Sequence, residues 1–471
     1  MSDGLVDLSA AAMAAAVRAG RVSPRELVEA HLARIAALNP SLNAYVHVDA
    51  EGALAAARRA ESVDARGTGG PLHGVPISIK SSVSVAGMPF ETGSRFRQGV
   101  RGDRDATLVT RLRAAGAIVL GVTNVAEQLM AWETDNALYG RTNNPWSLDR
   151  TPGGSSGGEA AAIAAGLSAG GIGSDGGGSI RVPAHFSGIC GLKPTPGRVP
   201  ATGHFPPCGG PFALTGVVGP MARTIEDLEL LLSVTAGPDP GDPNGHPVPC
   251  QAAARPSRGL RVGWFDTDGH VPVTRETRDA VRNAARWLEG AGLDVEPFVP
   301  QELELARELW WAIFGSASRL ILEPIVDGRE HEVHPNLVEF LDWTRRDPKL
   351  TAERLLQVEI ERDLLKSRFL AQMERYPILL CPVAPMPAFR HGEREWTIDG
   401  QSVHYLDAWR YCAWFNLLQN PGVSVPVARS QDGLPIGVQV VARPGHEPEA
   451  LAVARVIEQA RGTWRGAGNG C

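Results

Sequence analysis

The chain has 471 residues, is 43% hydrophobic and carries a net charge of -6 with a pI near 6.1. That apolar content is ample for a buried core, and the charges alternate in sign without a basic field to draw in nucleic acid. Six scattered cysteines (Cys190, Cys208, Cys250, Cys381, Cys412 and Cys471) include no CxxC pair, which suits free thiols in a reducing cytosol.

The opening MSDGLVDLS has no basic segment ahead of an apolar core, so no signal peptide is expected. No apolar run is read as approaching the ~20 residues that span a bilayer. The expectation is a cytoplasmic protein without a membrane partner. Ser23-Pro24-Arg25-Glu26 is a capping box with proline at the first helical position. It predicts a helix with Val28, Leu32 and Ile35 on one face, stopped by Asn39-Pro40. An alanine-rich helix follows over 52–62, then a Gly-rich turn over 66–70. Val75, Ile77 and Ile79 predict a buried strand ending at Lys80. Residues 117–120 predict another, with a helix after Asn124, and strand-turn-helix alternation is the α/β rhythm.

Further on, residues 212–218 predict a strand, and Thr224 caps a helix through Leu232. The Pro- and Gly-rich stretch 237–259 reads as a surface excursion. Strands are expected over 260–265, 293–298 and 378–383, and helices over 275–293, 301–314 and 351–374. Residues 423–427 and 437–441 predict a strand pair around Asp432-Gly433, and 447–459 a final helix. No internal repeat is found.

The chemistry concentrates in residues 151–195, TPGGSSGGEAAAIAAGLSAGGIGSDGGGSIRVPAHFSGICGLKPT. Two glycine-flanked serines, Ser155 and Ser179, are joined by an alanine-rich run over 160–169 that predicts a closely packed helix. Glycine lets backbone approach a ligand, and the interspersed isoleucines argue against a flexible linker. Gly171 to Gly176 spells GxGxxG, but no acid lies between Asp175 and Glu226 to hold a ribose, and no P-loop is present. Gly153-Gly154-Ser155-Ser156-Gly157 matches a nucleophile elbow, with His185, His204 and His404 downstream, yet a Pro-punctuated loop precedes it where an elbow needs a strand. His331 and His334, with Glu330 and Glu332, read as a solvated face rather than a metal site.

The remaining reading joins both serines to Lys80. A serine hydroxyl is a weak nucleophile until a base takes its proton. Lysine serves as that base only when neutral, which burial against an apolar strand favours. Taken alone, Lys80 reads as a surface lysine at a strand end, and only its combination with the serine turns makes it a base. Asp175 and Arg181, taken alone, read as a surface ion pair. Cys190, among Ile189, Gly191 and Leu192, reads as packing.

Lys80 in HGVPISIK, TPGGSSGGEAA and GSDGGGSIRVPAHFSGICGLKPT together closely resemble the amidase signature family. The flanks ETDNALYGRTNNPW, GPMARTIEDL and NPGVSVPV resemble it too, so the likeness covers nearly the whole chain. It implies one α/β domain over 1–471, with a large mixed central β-sheet flanked by helices on both sides and a catalytic core over 70–230. It assigns Ser179 as the acylated nucleophile, Ser155, in an unusual cis peptide, as proton relay, and Lys80 as general base. Gly176, Gly177, Gly178 and Ser179 would supply an oxyanion hole from their amides, supported by Ser156, Asp175 and Arg181. Leu129, Met130, Ala131 and Trp132 would border the acyl pocket. Aromatic stretches over 309–315 and 409–415 read as core, or as walls favouring apolar or aryl groups.

No metal or other cofactor is implied. The partner is a small-molecule amide-type substrate, with the chain acting as a monomer or homodimer. Many relatives place an acid and an asparagine after the base lysine. Here Ser81-Ser82 follow, which weakens an alternative reading as the glutamine-hydrolysing component of a tRNA-dependent amidotransferase.

Overall fold

The apolar and β-branched runs pair into one mixed sheet in this computed structural model, which describes residues 4–62, 69–207, 209–245, 256–464 and 466–467. The strands are β1 (Tyr45–Val48), β2 (Pro76–Lys80), β3 (Ile118–Thr123), β4 (Gly170–Asp175), β5 (Cys190–Lys193), β6 (Val217–Ala222), β7 (Arg261–Trp264), β8 (Asp294–Pro297), β9 (Ile378–Pro382), β10 (Glu395–Ile398), β11 (Gln401–His404), β12 (Gly422–Arg429) and β13 (Pro435–Ala442). Eleven form the central sheet in the order β1-β3-β2-β4-β6-β5-β12-β13-β9-β7-β8, and β10 and β11 form a separate hairpin. The α/β fold with a large mixed sheet is therefore as the family resemblance implied. β2 runs parallel to both β3 and β4, whereas β4, β6, β5, β12, β13 and β9 pair antiparallel.

The site's position follows from this pairing. Ser78 faces Gly171 and Ile79 faces Ile172 across the parallel β2–β4 pair, so the strands end side by side at Lys80 and Asp175. Ligands in α/β sheets bind beyond such carboxyl ends. The helix Gly157–Ala164 starts directly after Ser155-Ser156 and is buried along its whole length. Its alanines let it lie close to β2 and β4.

Several expected elements differ. The first long helix, Pro24–Leu42, passes Pro40 and ends on left-handed Asn43, whose amide donates to Asn39. No helix follows Asn124. Asn136 Nδ2 donates to the Val125 carbonyl at 2.8 Å, which removes an acceptor a helix would need. A short turn, Glu127–Leu129, forms instead, with Gln128 and Leu129 left-handed. Residues 211–215 are a short helix opened by Pro211, so the strand begins only at Val217. The alanine-rich helix stops at Ala164, and the following glycines form β4.

The helix Leu303–Val326 is longer than expected and, contrary to the sequence reading, is long and apolar enough by length and composition to cross a membrane. Here one side of it packs over Gly176 and Gly177 through Phe314 and Trp310. Within the 237–259 excursion, residues 246–255 lie outside the described residues. Cys190, Cys381 and Cys412 are buried free thiols, while Cys208, Cys250 and Cys471 also lie outside the described residues.

Candidate active site

Lys80 is fully buried at the end of β2. Its Nζ lies 2.8 Å from Ser155 Oγ, 2.8 Å from Ser156 Oγ and 3.0 Å from Ser174 Oγ. Among the described residues no carboxylate lies within ion-pair distance of it. Burial brings its pKa down to about 7, against the pull of Asp175 and Glu159, which raise it. A buried lysine shelled by hydroxyls is poised to exchange a proton at neutral pH. This environment overturns the reading of Lys80 as a surface residue.

Ser155 follows a cis Gly154–Ser155 peptide bond. Ser156 donates its amide to the Ser179 carbonyl at 3.3 Å, which brings the two serine turns together. Ser179 is half-buried, whereas Ser155 and Ser156 are fully buried. Ser155, Ser174, Asp175, Gly176 and Ser179 all line one cavity.

The turn that carries Ser179 is held from two sides. Trp310 Nε1 donates to the Gly176 carbonyl at 2.9 Å and Trp132 Nε1 to the Gly177 carbonyl at 3.0 Å. A trans peptide directs its N–H opposite its C=O, so fixing these carbonyls fixes the amides that follow. The amides of Gly176, Gly177 and Ser179 donate to no group among the described residues. Gly178 differs from the expected set of four donors, because its N–H donates to Asp175 Oδ1 at 2.8 Å. Side chains are excluded here. A Cβ on Gly177 would lie 2.6 Å from Trp310, and one on Gly176 would lie 2.9 Å from Phe314.

Asp175 also accepts from the Ile180 amide and makes a two-pronged pair with Arg181, at 3.0 Å from Nε and 3.0 Å from Nη2. Arg181 reaches further to Gln439 Oε1 (3.0 Å), Asn416 Oδ1 (2.5 Å) and the Cys412 carbonyl (3.1 Å). Both partners are fully buried, so the surface ion-pair reading is corrected. Burial alone would raise the Asp175 carboxyl, but the Arg181 guanidinium holds it well below the usual carboxylate range.

The match to known proteins agrees with this geometry, for the amidase family model covers residues 26–451. The chain belongs to the amidase signature family. It is 35% identical to an acylamidase of Rhodococcus erythropolis over 96% of this chain and 95% of that protein. It is 37% identical to one of the subunits of the glutamyl-tRNA(Gln) amidotransferase of Acidothermus cellulolyticus, over 98% of this chain and 95% of that protein. A solved bacterial aryl acylamidase of the same family superposes with a TM-score of 0.87 at 27% identity, covering 98% of each chain. Membership makes this an amide-hydrolysing type of enzyme.

Within this amidase signature protein, the expected pocket residues divide. Leu129 and Met130 line the cavity. Ala131 and Trp132 do not: the Ala131 carbonyl packs where a Cβ on Gly154 would sit, and the Trp132 ring stacks on Trp409 behind the turn. Of the two aromatic stretches, Phe314 reaches the cavity wall, while Trp409 to Phe415 pack in the interior.

The histidines form no triad. His185 accepts from the Gly437 amide through Nδ1 and sits 3.1 Å from the Met386 carbonyl through Nε2, so both ring nitrogens are engaged away from the serines. His204 borders the cavity but pairs with Ser82 and the Pro206 carbonyl. His404 packs on Trp343. Glu332 is engaged by Arg329, and His334 caps the helix Pro335–Arg345.

Sequence reasoning missed Ser174, Glu159, Asn416 and Gln439, and it met Trp310 only as part of the aromatic stretch 309–315. Ser174 had a signal, since it precedes Asp175 in a run that forms a strand, and neighbours on a strand face opposite sides. Asn416 and Gln439 had none, being more than 200 residues from Arg181.

Proposed function

We propose that the chain hydrolyses a carbon-nitrogen bond of an amide, anilide or carbamate, with esters as further substrates, through an acyl-enzyme on Ser179. The observation that carries this is the buried Lys80 amine 2.8 Å from Ser155, beside a cavity that Ser179 shares. Neutral Lys80 takes the Ser155 proton while Ser155 takes that of Ser179, whose Oγ attacks the carbonyl carbon. The oxyanion is held by the open amides of Gly176, Gly177 and Ser179, each such donor contributing roughly 3 kcal/mol in the transition state. The proton returns through Ser155 to the leaving nitrogen as the C–N bond breaks, and water then cleaves the acyl-enzyme by the same relay.

The apolar part of the cavity wall, Leu129, Met130, Phe212, Val217 and Phe314, supports an apolar or aryl acyl group, because burying apolar surface there is favourable. The amidotransferase reading is favoured by the 37% identity to the Acidothermus cellulolyticus protein, and that function needs partner chains. Hydrolysis of simple p-nitroanilides by the isolated chain decides for the first reading. A serine-directed fluorophosphonate is expected to label Ser179. Labelling that persists in Ser179→Ala, or that maps to Ser155, overturns the assignment.

A further inference from the structure

Glu159 is the one residue of the GGSSGGE run whose chemistry remains unused. It lies in the first turn of the helix Gly157–Ala164 and is fully buried. Its carboxylate accepts from Ser78 Oγ at 2.5 Å and from Thr123 Oγ1 at 2.7 Å. No cation touches it among the described residues. Its seat is purpose-built, because a Cβ on Gly171 would lie 1.9 Å from Glu159 Oε1, and only glycine leaves room. Ser78 and Lys80 are two residues apart on β2 and therefore project from the same face.

The result is two buried, oppositely chargeable groups, each surrounded by hydroxyls and neither in a contact ion pair. We infer that Glu159 is a positioning residue for the reaction, a buried counter-charge that lets Lys80 hold the proton taken from Ser155. This rests on the reading of Lys80 as the base.

The groups facing the pair are few. Lys80 faces Asp175 from β4, Glu159 from the helix, and His204 from the loop beyond β5. Asp175 is already neutralised by Arg181. Glu159 faces Lys80 and, from β1, the Tyr45 phenol. That leaves Glu159 as the carboxylate whose charge is free to answer a new charge on Lys80. Burial pushes Glu159 up to about 7, against its hydroxyl donors and Lys80, so the two groups exchange protons over one range. When Lys80 becomes an ammonium in the tetrahedral intermediate, an ionised Glu159 stabilises it. When the proton returns to the leaving nitrogen, that attraction ends. The helix N-terminus beneath Glu159 favours its anionic form.

The test measures the rate of fluorophosphonate labelling of Ser179 against pH on the full chain. In the wild type the rate rises with pH as Lys80 becomes neutral. Glu159→Gln keeps the bulk and can still bond Ser78 and Thr123, but removes the charge. Without the carboxylate the Lys80 ammonium is less stable, so the midpoint should fall by about one pH unit, with a plateau about tenfold lower. Thr123→Val withdraws one donor from the carboxylate and should move the midpoint the same way by less, and it decides alone if Glu159→Gln does not fold. A purely structural Glu159 would alter the plateau and leave the midpoint in place. A midpoint that stays within about 0.2 unit, or rises, overturns the inference. Lys80→Arg separates the two claims: loss of labelling at every pH keeps the base reading, so an unmoved midpoint in Glu159→Gln then counts against Glu159 alone. Normal labelling of Lys80→Arg removes the base reading itself.

Discussion

Ser174 and Asp175 end β4 and, as successive strand residues, face opposite ways. On one side Ser174 meets Lys80, a buried amine shelled by three serine hydroxyls with no carboxylate in contact. On the other, Asp175 meets Arg181, a buried pair in which nearly every lone pair and N–H has a partner. Both regions are buried and both hold ionisable groups. The difference is in compensation. A fully paired charge is fixed and can serve as scaffold, whereas an unpaired one is free to change protonation state. One strand end thus separates the proton chemistry from the frame that aims the nucleophile.

The comparison makes a crossed prediction. Lys80→Met removes the amine at similar bulk and should cut kcat/KM about 10⁴-fold, while urea denaturation shows stability held to within about 1 kcal/mol. Lys80→Arg should be as inactive, because arginine cannot release its proton at working pH. A substantially active Lys80→Arg enzyme breaks the comparison, since Lys80 would then be a structural cation like Arg181.

Arg181→Ala should do the reverse. It leaves the Asp175 carboxylate buried without its cation, and the folded state should lose about 3–5 kcal/mol by urea titration. A loss below about 1 kcal/mol would mean that the amides around Asp175 suffice to hold it.

The pH dependence distinguishes the two sides next. With Lys80 brought down to about 7 by burial, the neutral base is lost as pH falls through that value. Below it, kcat/KM should drop about tenfold per pH unit, and above it the rate should level off. The Asp175–Arg181 side should add no titration to this profile, since its carboxyl ionises far below the range. The smallest effect is expected at the brace. Trp310→Phe keeps an aromatic ring but loses both the bond to the Gly176 carbonyl and the indole edge beside Gly177, and kcat/KM should fall about fivefold. An unchanged kcat/KM would show that the amides are aimed without this brace.

What the sequence determined by itself was local. Lys80 at the end of an apolar strand, two glycine-ringed serines and the Ser23 capping box each carry their cause within a few residues, and the fold class follows from the strand-helix rhythm. Neighbouring errors were equally local in origin. The helix expected after Asn124 fails because Asn136 takes the Val125 carbonyl, and the strand expected from residue 212 is delayed by Pro211. Tertiary structure alone decided the compensation of charge. Whether Lys80 and Asp175 are exposed, paired or isolated depends on Asn416, Gln439, Trp310 and Glu159, brought in by the pairing of distant strands and helices. Burial and hydrogen-bond satisfaction are properties of the whole packed interior, so no spacing within one segment encodes them.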